Sequence, residues 1–169
     1  MSRIAAAAFG PVLYWDCPIG TLGLMDDGQG ISRVFLRRED MRLEVPEGGT
    51  PLTLQAAAEL EEYFSSGRKV FSVPLSPHGT AFQCSVWQAL RDIPYGQTRT
   101  YGEIAAAVGR PRAARAVGMA NHDNPLLIFT PCHRVVGKGG ALTGFACGLE
   151  VKRRLLELEK YATTMPTIP

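Results

Sequence analysis

Thr100-Tyr101-Gly102-Glu103-Ile104-Ala105-Ala106-Ala107-Val108-Gly109-Arg110-Pro111-Arg112-Ala113-Ala114-Arg115-Ala116-Val117-Gly118-Met119-Ala120-Asn121 is the stretch that decides the fold. Threonine followed three residues later by glutamate is a capping box, in which each side chain satisfies the other residue's orphan amide. It opens a short helix over Tyr101–Val108, which Gly109 stops. Pro111 sits where a helix often begins. A second helix over Arg112–Asn121 follows, rich in the small residues Ala113, Ala114, Ala116, Gly118 and Ala120. Two short helices joined by Gly109-Arg110-Pro111 resemble a helix-turn-helix, though an ordinary helical hairpin has the same pattern.

The chain upstream has a different texture. Val12–Trp15, Gly20–Met25 and Ile31–Leu36 read as short strands, parted by the turn signals Asp16-Cys17-Pro18 and Asp26-Asp27-Gly28. Pro46–Pro51 reads as a loop. Leu54–Phe64 has helical spacing, and Val70–Val73 reads as a further strand. Pro74–Gly79 has the composition of a linker. Thr80-Ala81-Phe82-Gln83 is another capping box. The helix behind it groups Phe82, Val86, Ala89, Leu90 and Ile93 on one face, and Pro94-Tyr95-Gly96 ends it. The expected boundaries are therefore 1–76, 77–165 and a tail at 166–169.

Charge divides the chain in the same place. Residues 1–79 carry seven Lys/Arg and ten Asp/Glu, whereas residues 80–155 carry ten and four. A basic second half suits a polyanion, although a solvated basic face would look the same. At 169 residues the chain can bury a core without disulfides or metal. Cys17, Cys84, Cys132 and Cys147 include no Cys-x-x-Cys, and His78, His122 and His133 complete no zinc pattern. The expectation is a reduced, cytoplasmic protein, nucleoid-associated if bacterial. The apolar run Ile4–Phe9 is brief for a signal peptide and too short to span a membrane.

Chemistry concentrates in Thr130-Pro131-Cys132-His133-Arg134-Val135. Proline restricts the backbone before the cysteine. An imidazole next door and positive charge nearby favour a thiolate nucleophile. A lone Cys-His pair is weak evidence, because free cysteine is usually a small buried hydrophobe. The last helix, Leu149–Lys160, places Glu159 within the apolar face made by Leu155, Leu156 and Leu158. A buried carboxylate needs a partner: Lys152 and Arg153 as a structural pair, or His133 as a functional one.

Phe82–Leu90, Ile93-Pro94-Tyr95-Gly96, Tyr101–Ala105, Arg115–Asn121, Asn124-Pro125 and Pro131–Val135, in this order, resemble the O6-alkylguanine-DNA alkyltransferases. The likeness covers about residues 80–160, and the N-terminal half is similar only loosely. It implies an α+β chain. A small ribonuclease-H-like antiparallel sheet with a helix would precede a mostly helical, winged-helix domain of helix-turn-helix type. It implies direct reversal of DNA damage, in which the alkyl group of O6-alkylguanine, less readily O4-alkylthymine, passes to the protein's own cysteine once per molecule. No cofactor and no metal are implied, and the zinc site of some members has no counterpart here.

By the resemblance Cys132 is the acceptor, His133 a base acting through one water, Glu159 the residue that orients His133, and Asn124 a support of the hydrogen-bond network. Arg115 is implied to fill the stack left by a flipped base. Tyr101 is implied to press on the phosphate, with Thr100 beside it. Ala113 and Ala114 are implied to enter the minor groove of double-stranded DNA without reading much sequence. Val135, Phe145, Ala146 and Leu127 are implied to line the base pocket, and Leu127 could equally be core. A monomer, able to bind DNA cooperatively, is the implied state, with no membrane partner. The sequence departs from the family at Phe145, where tyrosine is usual, at Cys147, where glycine or tryptophan is usual, and at Thr130, where isoleucine or valine is usual. A transcription regulator would explain the basic half but not Pro131–Val135. A cysteine hydrolase would need Cys132 and His133 to reach each other directly, which neighbours in sequence rarely do.

Overall fold

The computed structural model describes residues 9–164. The run Ile4–Phe9, apart from Phe9, and the tail at 166–169 lie outside the described residues. The chain has α+β architecture and clusters into two units. One holds the described residues up to His78 together with Pro125–Leu127; the other holds Gly79–Asn124 and the described residues from Ile128 onward.

In the first unit, β1 (Leu13–Cys17), β2 (Gly20–Asp26) and β3 (Ile31–Leu36) form an antiparallel sheet in sequence order. Leu22 and Leu24, two apart and hence on one face, are fully buried. Gly23 lies opposite Phe35, and a Cβ there would stand 2.2 Å from the Phe35 ring, so glycine leaves the room in which the ring lies across the strand. Helix α1 (Pro51–Ser66) packs on the sheet and buries Ala56, Leu60 and Tyr63. The helix starts three residues before the expected Leu54. Thr50 and Thr53 cap each other reciprocally, with Pro51 at the first turn.

Val70–Val73 is not a strand. The Ser72 and Val73 amides donate to the buried Glu59 carboxylate (2.8 and 3.3 Å) instead of to a neighbouring strand. The edge of β3 is paired elsewhere: Leu75 bridges to Ile31, and Leu126 bridges to Val34. Asp27 holds the connecting segment through Ser76 (2.6 Å) and His78 (2.8 Å).

The second unit contains α2 (Ala81–Arg91), β4 (Arg99–Thr100), α3 (Tyr101–Ala107), α4 (Ala114–His122), β5 (Val135–Val136) and α5 (Leu149–Thr164). Both expected capping boxes are formed, Thr80 with Gln83 and Thr100 with Glu103. Gly109, at φ +72°, ends the segment after α3 in the left-handed region. α4 begins at Ala114, two residues later than expected. The Ala113 amide instead closes a turn on the Arg110 carbonyl (2.8 Å), and Ala113 is the cap residue, outside the helix proper. Helices α2, α3 and α4 pack together. Trp87 of α2 is buried and donates its indole N–H to the Ala120 carbonyl (2.8 Å). β4 and β5 pair in parallel, Arg99 with Val135 and Thr100 with Val136. Among the described residues no helix is long and apolar enough to cross a membrane.

Candidate active site

The chain reaches the site through a left-handed residue. Ile128, buried and β-branched, has φ +73°, a conformation that costs of order 1–3 kcal/mol for such a side chain. Pro131 follows at φ −79°, ψ 66°, and the Cys132 amide donates to the Thr130 carbonyl (2.8 Å), which makes an inverse γ-turn. Cys132–Arg134 then form a single 3-10 turn that runs into β5. All three of its residues are buried.

Burial governs the thiol. It pushes Cys132 up to about 11, against a hydrogen bond from Asn124 and the charge of Lys152, which favour the anion; the nearby Cys147 adds to the rise. Cys132 is therefore a neutral thiol at physiological pH, and its proton must leave before the sulfur can act as a nucleophile. Asn124 also donates Nδ2 to the Thr130 carbonyl (2.8 Å), so one amide braces both the turn and the sulfur.

His133 is fully buried, with Nε2 2.7 Å from Glu159 Oε1. Burial lowers its pKa, and the bond to Glu159 opposes this. Burial likewise acts to raise Glu159, but the His133 and Arg134 contacts win and hold it at about 2. A carboxylate facing a neutral ring fixes the proton on Nε2. Nδ1 is then the acceptor; it is buried and bonded to no protein group.

Glu159 does more than orient the ring. Arg134 Nε and Nη2 each reach it at 2.9 Å, one on each oxygen, and the Gly96 amide donates to Oε2 (3.2 Å). Arg134 also donates to the Ile93 carbonyl (2.7 Å) and lies 5.6 Å from the centre of the Tyr95 ring. The partners considered from the helical face are occupied differently. Arg153 pairs with Glu150 and Glu157 on the surface. Lys152 is fully buried and donates Nζ to the Val135 (2.5 Å) and Thr143 (3.0 Å) carbonyls. It lies 6.0 Å from the Tyr101 ring centre and 5.8 Å from that of Phe145.

The structure thus brings Cys132, His133, Glu159 and Asn124 together, and it places Val135, Tyr101 and Phe145 around Lys152. The Val135 carbonyl is engaged by Lys152, and the Tyr101 hydroxyl by the Thr143 carbonyl (3.1 Å). Thr100 spends its side chain on the α3 cap. Ala146 is exposed, and Arg115 stands exposed in the first turn of α4 beside the half-buried Ala113 and Ala114. Leu127 is core: it is 4% exposed, and its amide donates to the Val34 carbonyl (3.2 Å). Sequence reasoning missed the roles of Asn121, Lys152 and Arg134 in this network. Periodicity puts Lys152 seven residues before Glu159 on the same helical stripe, but not against the Val135 and Thr143 carbonyls that it bonds. Among the described residues no group of three or more His, Cys, Asp or Glu could hold a metal ion.

Known proteins resemble this chain over most of its length. The DNA-binding domain of the 6-O-methylguanine DNA methyltransferase family matches residues 81–161. A methylated-DNA–protein-cysteine methyltransferase of Methanosarcina acetivorans is 48% identical, over 86% of this chain and 95% of that protein. The constitutive one of Bacillus subtilis is 49% identical, over 86% and 92%. A crystal structure of Mycobacterium tuberculosis OGT in complex with DNA superposes with a TM-score of 0.83 at 44% identity, covering 89% of this chain and 93% of that one. The chain belongs to the methylated-DNA–protein-cysteine methyltransferase family.

Proposed function

We propose that this protein repairs O6-alkylguanine in duplex DNA, and less readily O4-alkylthymine, by taking the alkyl group irreversibly onto Cys132 Sγ. The observation that carries the reading is the buried His133–Glu159 pair next in the chain to the buried Cys132, with Nδ1 of His133 an acceptor that meets no protein donor. In this reaction the thiol proton passes through a water to Nδ1, and Glu159 stabilises the imidazolium that forms. Sγ attacks the alkyl carbon, the C–O6 bond breaks, and its electron pair leaves with guanine. The new C–S bond is a thioether, which no group here can cleave, so each molecule acts once.

A base in the stack is out of reach of a buried sulfur, so it must be flipped out, at a cost of a few kcal/mol. Residues 77–165 carry both tasks in this reading. Arg115, exposed at the start of α4, fills the vacated stack. Ala113 and Ala114 let the backbone approach a narrow minor groove without reading sequence, which suits a protein that must act at any site. Tyr101 and Thr100 meet the phosphates, and Val135, Phe145 and Ala146 hold the base. The excess of Lys/Arg over residues 80–155 supports a polyanion partner. The protein works as a monomer in this scheme and needs no cofactor.

Intact mass and peptide mapping after mixing with a duplex that contains one O6-methylguanine test the proposal. One methyl group in stoichiometric amount, on Cys132 alone, is expected; an unmodified protein that still binds the duplex would replace repair with damage sensing. A second expectation concerns Arg115→Ala. Repair in the duplex falls about tenfold or more, as the loss of part of the flipping energy requires. Reaction with free O6-benzylguanine is nearly unchanged. Equal losses in single-turnover assays would remove Arg115 from the flipping step.

A further inference from the structure

Asn121 occupies an inward position of α4, one turn after Val117 and next to Ala120, where an apolar residue would pack. It is 3% exposed. Its Nδ2 donates to the Cys132 carbonyl at 3.4 Å. Its Oδ1 is buried and meets no protein donor. A buried amide oxygen left without a partner is costly, and where one is kept it calls for a reason. His133 Nδ1 is a second such atom. Both atoms belong to residues that adjoin Cys132, one through its carbonyl and one through the chain. Both are acceptors, so they cannot satisfy each other. A single small donor with two hydrogens satisfies both, and water is that donor.

We propose that Asn121 is a positioning residue for the transfer reaction, its Oδ1 and His133 Nδ1 together holding the water that takes the Cys132 proton. The inference rests on the alkyl-transfer reading of the site. One water hydrogen points to Nδ1 and the other to Oδ1, which leaves an oxygen lone pair for the S–H. As Sγ attacks, the S–H bond breaks and an O–H bond forms, while the water's former hydrogen moves to Nδ1. Water is regenerated and nothing is oxidised. Nε2–H stays on Glu159, and Asn124 stays on the sulfur. The charged or titratable groups around the relay are His133, Glu159 and Arg134 of the network just described, with Lys152 and Cys147 toward the pocket. Because α4 carries Arg115 in its first turn and Asn121 in its last, the helix that meets DNA also sets the position of the relay.

The test compares Asn121→Leu, which removes both polar groups, with Asn121→Asp, which keeps an acceptor oxygen and loses the amide donor. Single-turnover transfer from free O6-benzylguanine is followed from acid to alkaline pH, with thermal melts as a control for folding. Asn121→Leu is expected to lose about a hundredfold at neutral pH, the low end of general-base contributions, and to recover as alkali ionises the thiol directly. Asn121→Asp keeps most of the rate. A uniform loss in Asn121→Leu with an unchanged pH profile would overturn the proposal, as would equal failure of Asn121→Asp. Should Asn121→Leu not fold, a high-resolution crystal structure of the wild type decides: a water within hydrogen-bond distance of both Oδ1 and Nδ1 upholds the inference, and none there ends it. Wild-type protein run alongside separates the two readings, since a wild type that accepts no alkyl group contradicts the reaction itself and leaves nothing for Asn121 to position.

Discussion

Cys132→Ala is expected to bind duplex DNA like the wild type and to accept no alkyl group at all. The substitution removes one buried atom and keeps the Cβ, so it costs about 1 kcal/mol, the scale of a lost methylene. The backbone bonds of the turn do not involve the sulfur: the amide to Thr130, the carbonyl to Asn121, and the Val135 amide back to the Cys132 carbonyl all survive. Binding is therefore preserved while the proposed nucleophile is gone. Cys147 remains in the variant as an internal control. Peptide mapping after incubation with an O6-methylguanine duplex reads both sulfurs, and a methyl group on Cys147 would move the acceptor from the turn to the loop.

Glu159→Gln is the second large effect, and it strikes stability and chemistry together. The donors to the carboxylate include His133 Nε2, two guanidinium nitrogens of Arg134, and the Gly96 amide. An amide supplies one oxygen and turns an NH2 toward donors. Arg134, 6% exposed, is left as a buried charge without its counter-ion. Breaking one side of such a pair costs about 3–5 kcal/mol, a large share of the total stability of a domain. For a chain of this length that lowers Tm by roughly 10 °C. The ring of His133 loses the group that fixes its tautomer. Transfer falls about 10²-fold or more even at temperatures where circular dichroism reports a folded variant.

The sign of the pH dependence follows from the same carboxylate. Its folded pKa, about 2, lies below the ordinary 4.5, so its stabilising contribution is complete above 4.5 and fades as pH falls toward 2. The stability gap between wild type and Glu159→Gln, read from urea melts, closes over that acid range. A gap that stays constant through it would show that the carboxylate charge is not what holds Arg134 and His133.

Local signals carried the second half of the fold well. Thr80 with Gln83 and Thr100 with Glu103 are contiguous motifs whose partners lie within one turn, and both formed. Thr50 escaped notice because its reciprocal partner is Thr53 and not the usual glutamate or glutamine. Val70–Val73 was misread because the competing acceptor, Glu59, sits on the preceding helix α1; strand-like residue types in a four-residue run do not show that a carboxylate will fold back onto their amides. Pro111 suggested an earlier start to α4, but the turn from Ala113 to Arg110 took those residues first. At the site, Glu159 was visible as a carboxylate on an apolar face. Its pairing with Arg134, the place of Lys152 between two carbonyls, and the orphan oxygen of Asn121 depend on which loops the fold brings together, and helical periodicity carries no such information.

The pairing of Pro125–Leu127 with β3 bears on how this protein can be dissected. The Val34 amide donates to the Pro125 carbonyl and the Leu127 amide returns to Val34, although these segments lie about ninety residues apart in the chain. A fragment that starts at Gly79 would leave the ribosome with this segment unpaired, and Leu126, fully buried in the whole chain, would lose its cover. An apolar segment with free backbone groups invites self-association. A minimal alkyl acceptor, for labelling or for grafting onto another protein, is therefore not obtained by cutting at the linker: it has to carry its own copy of β3.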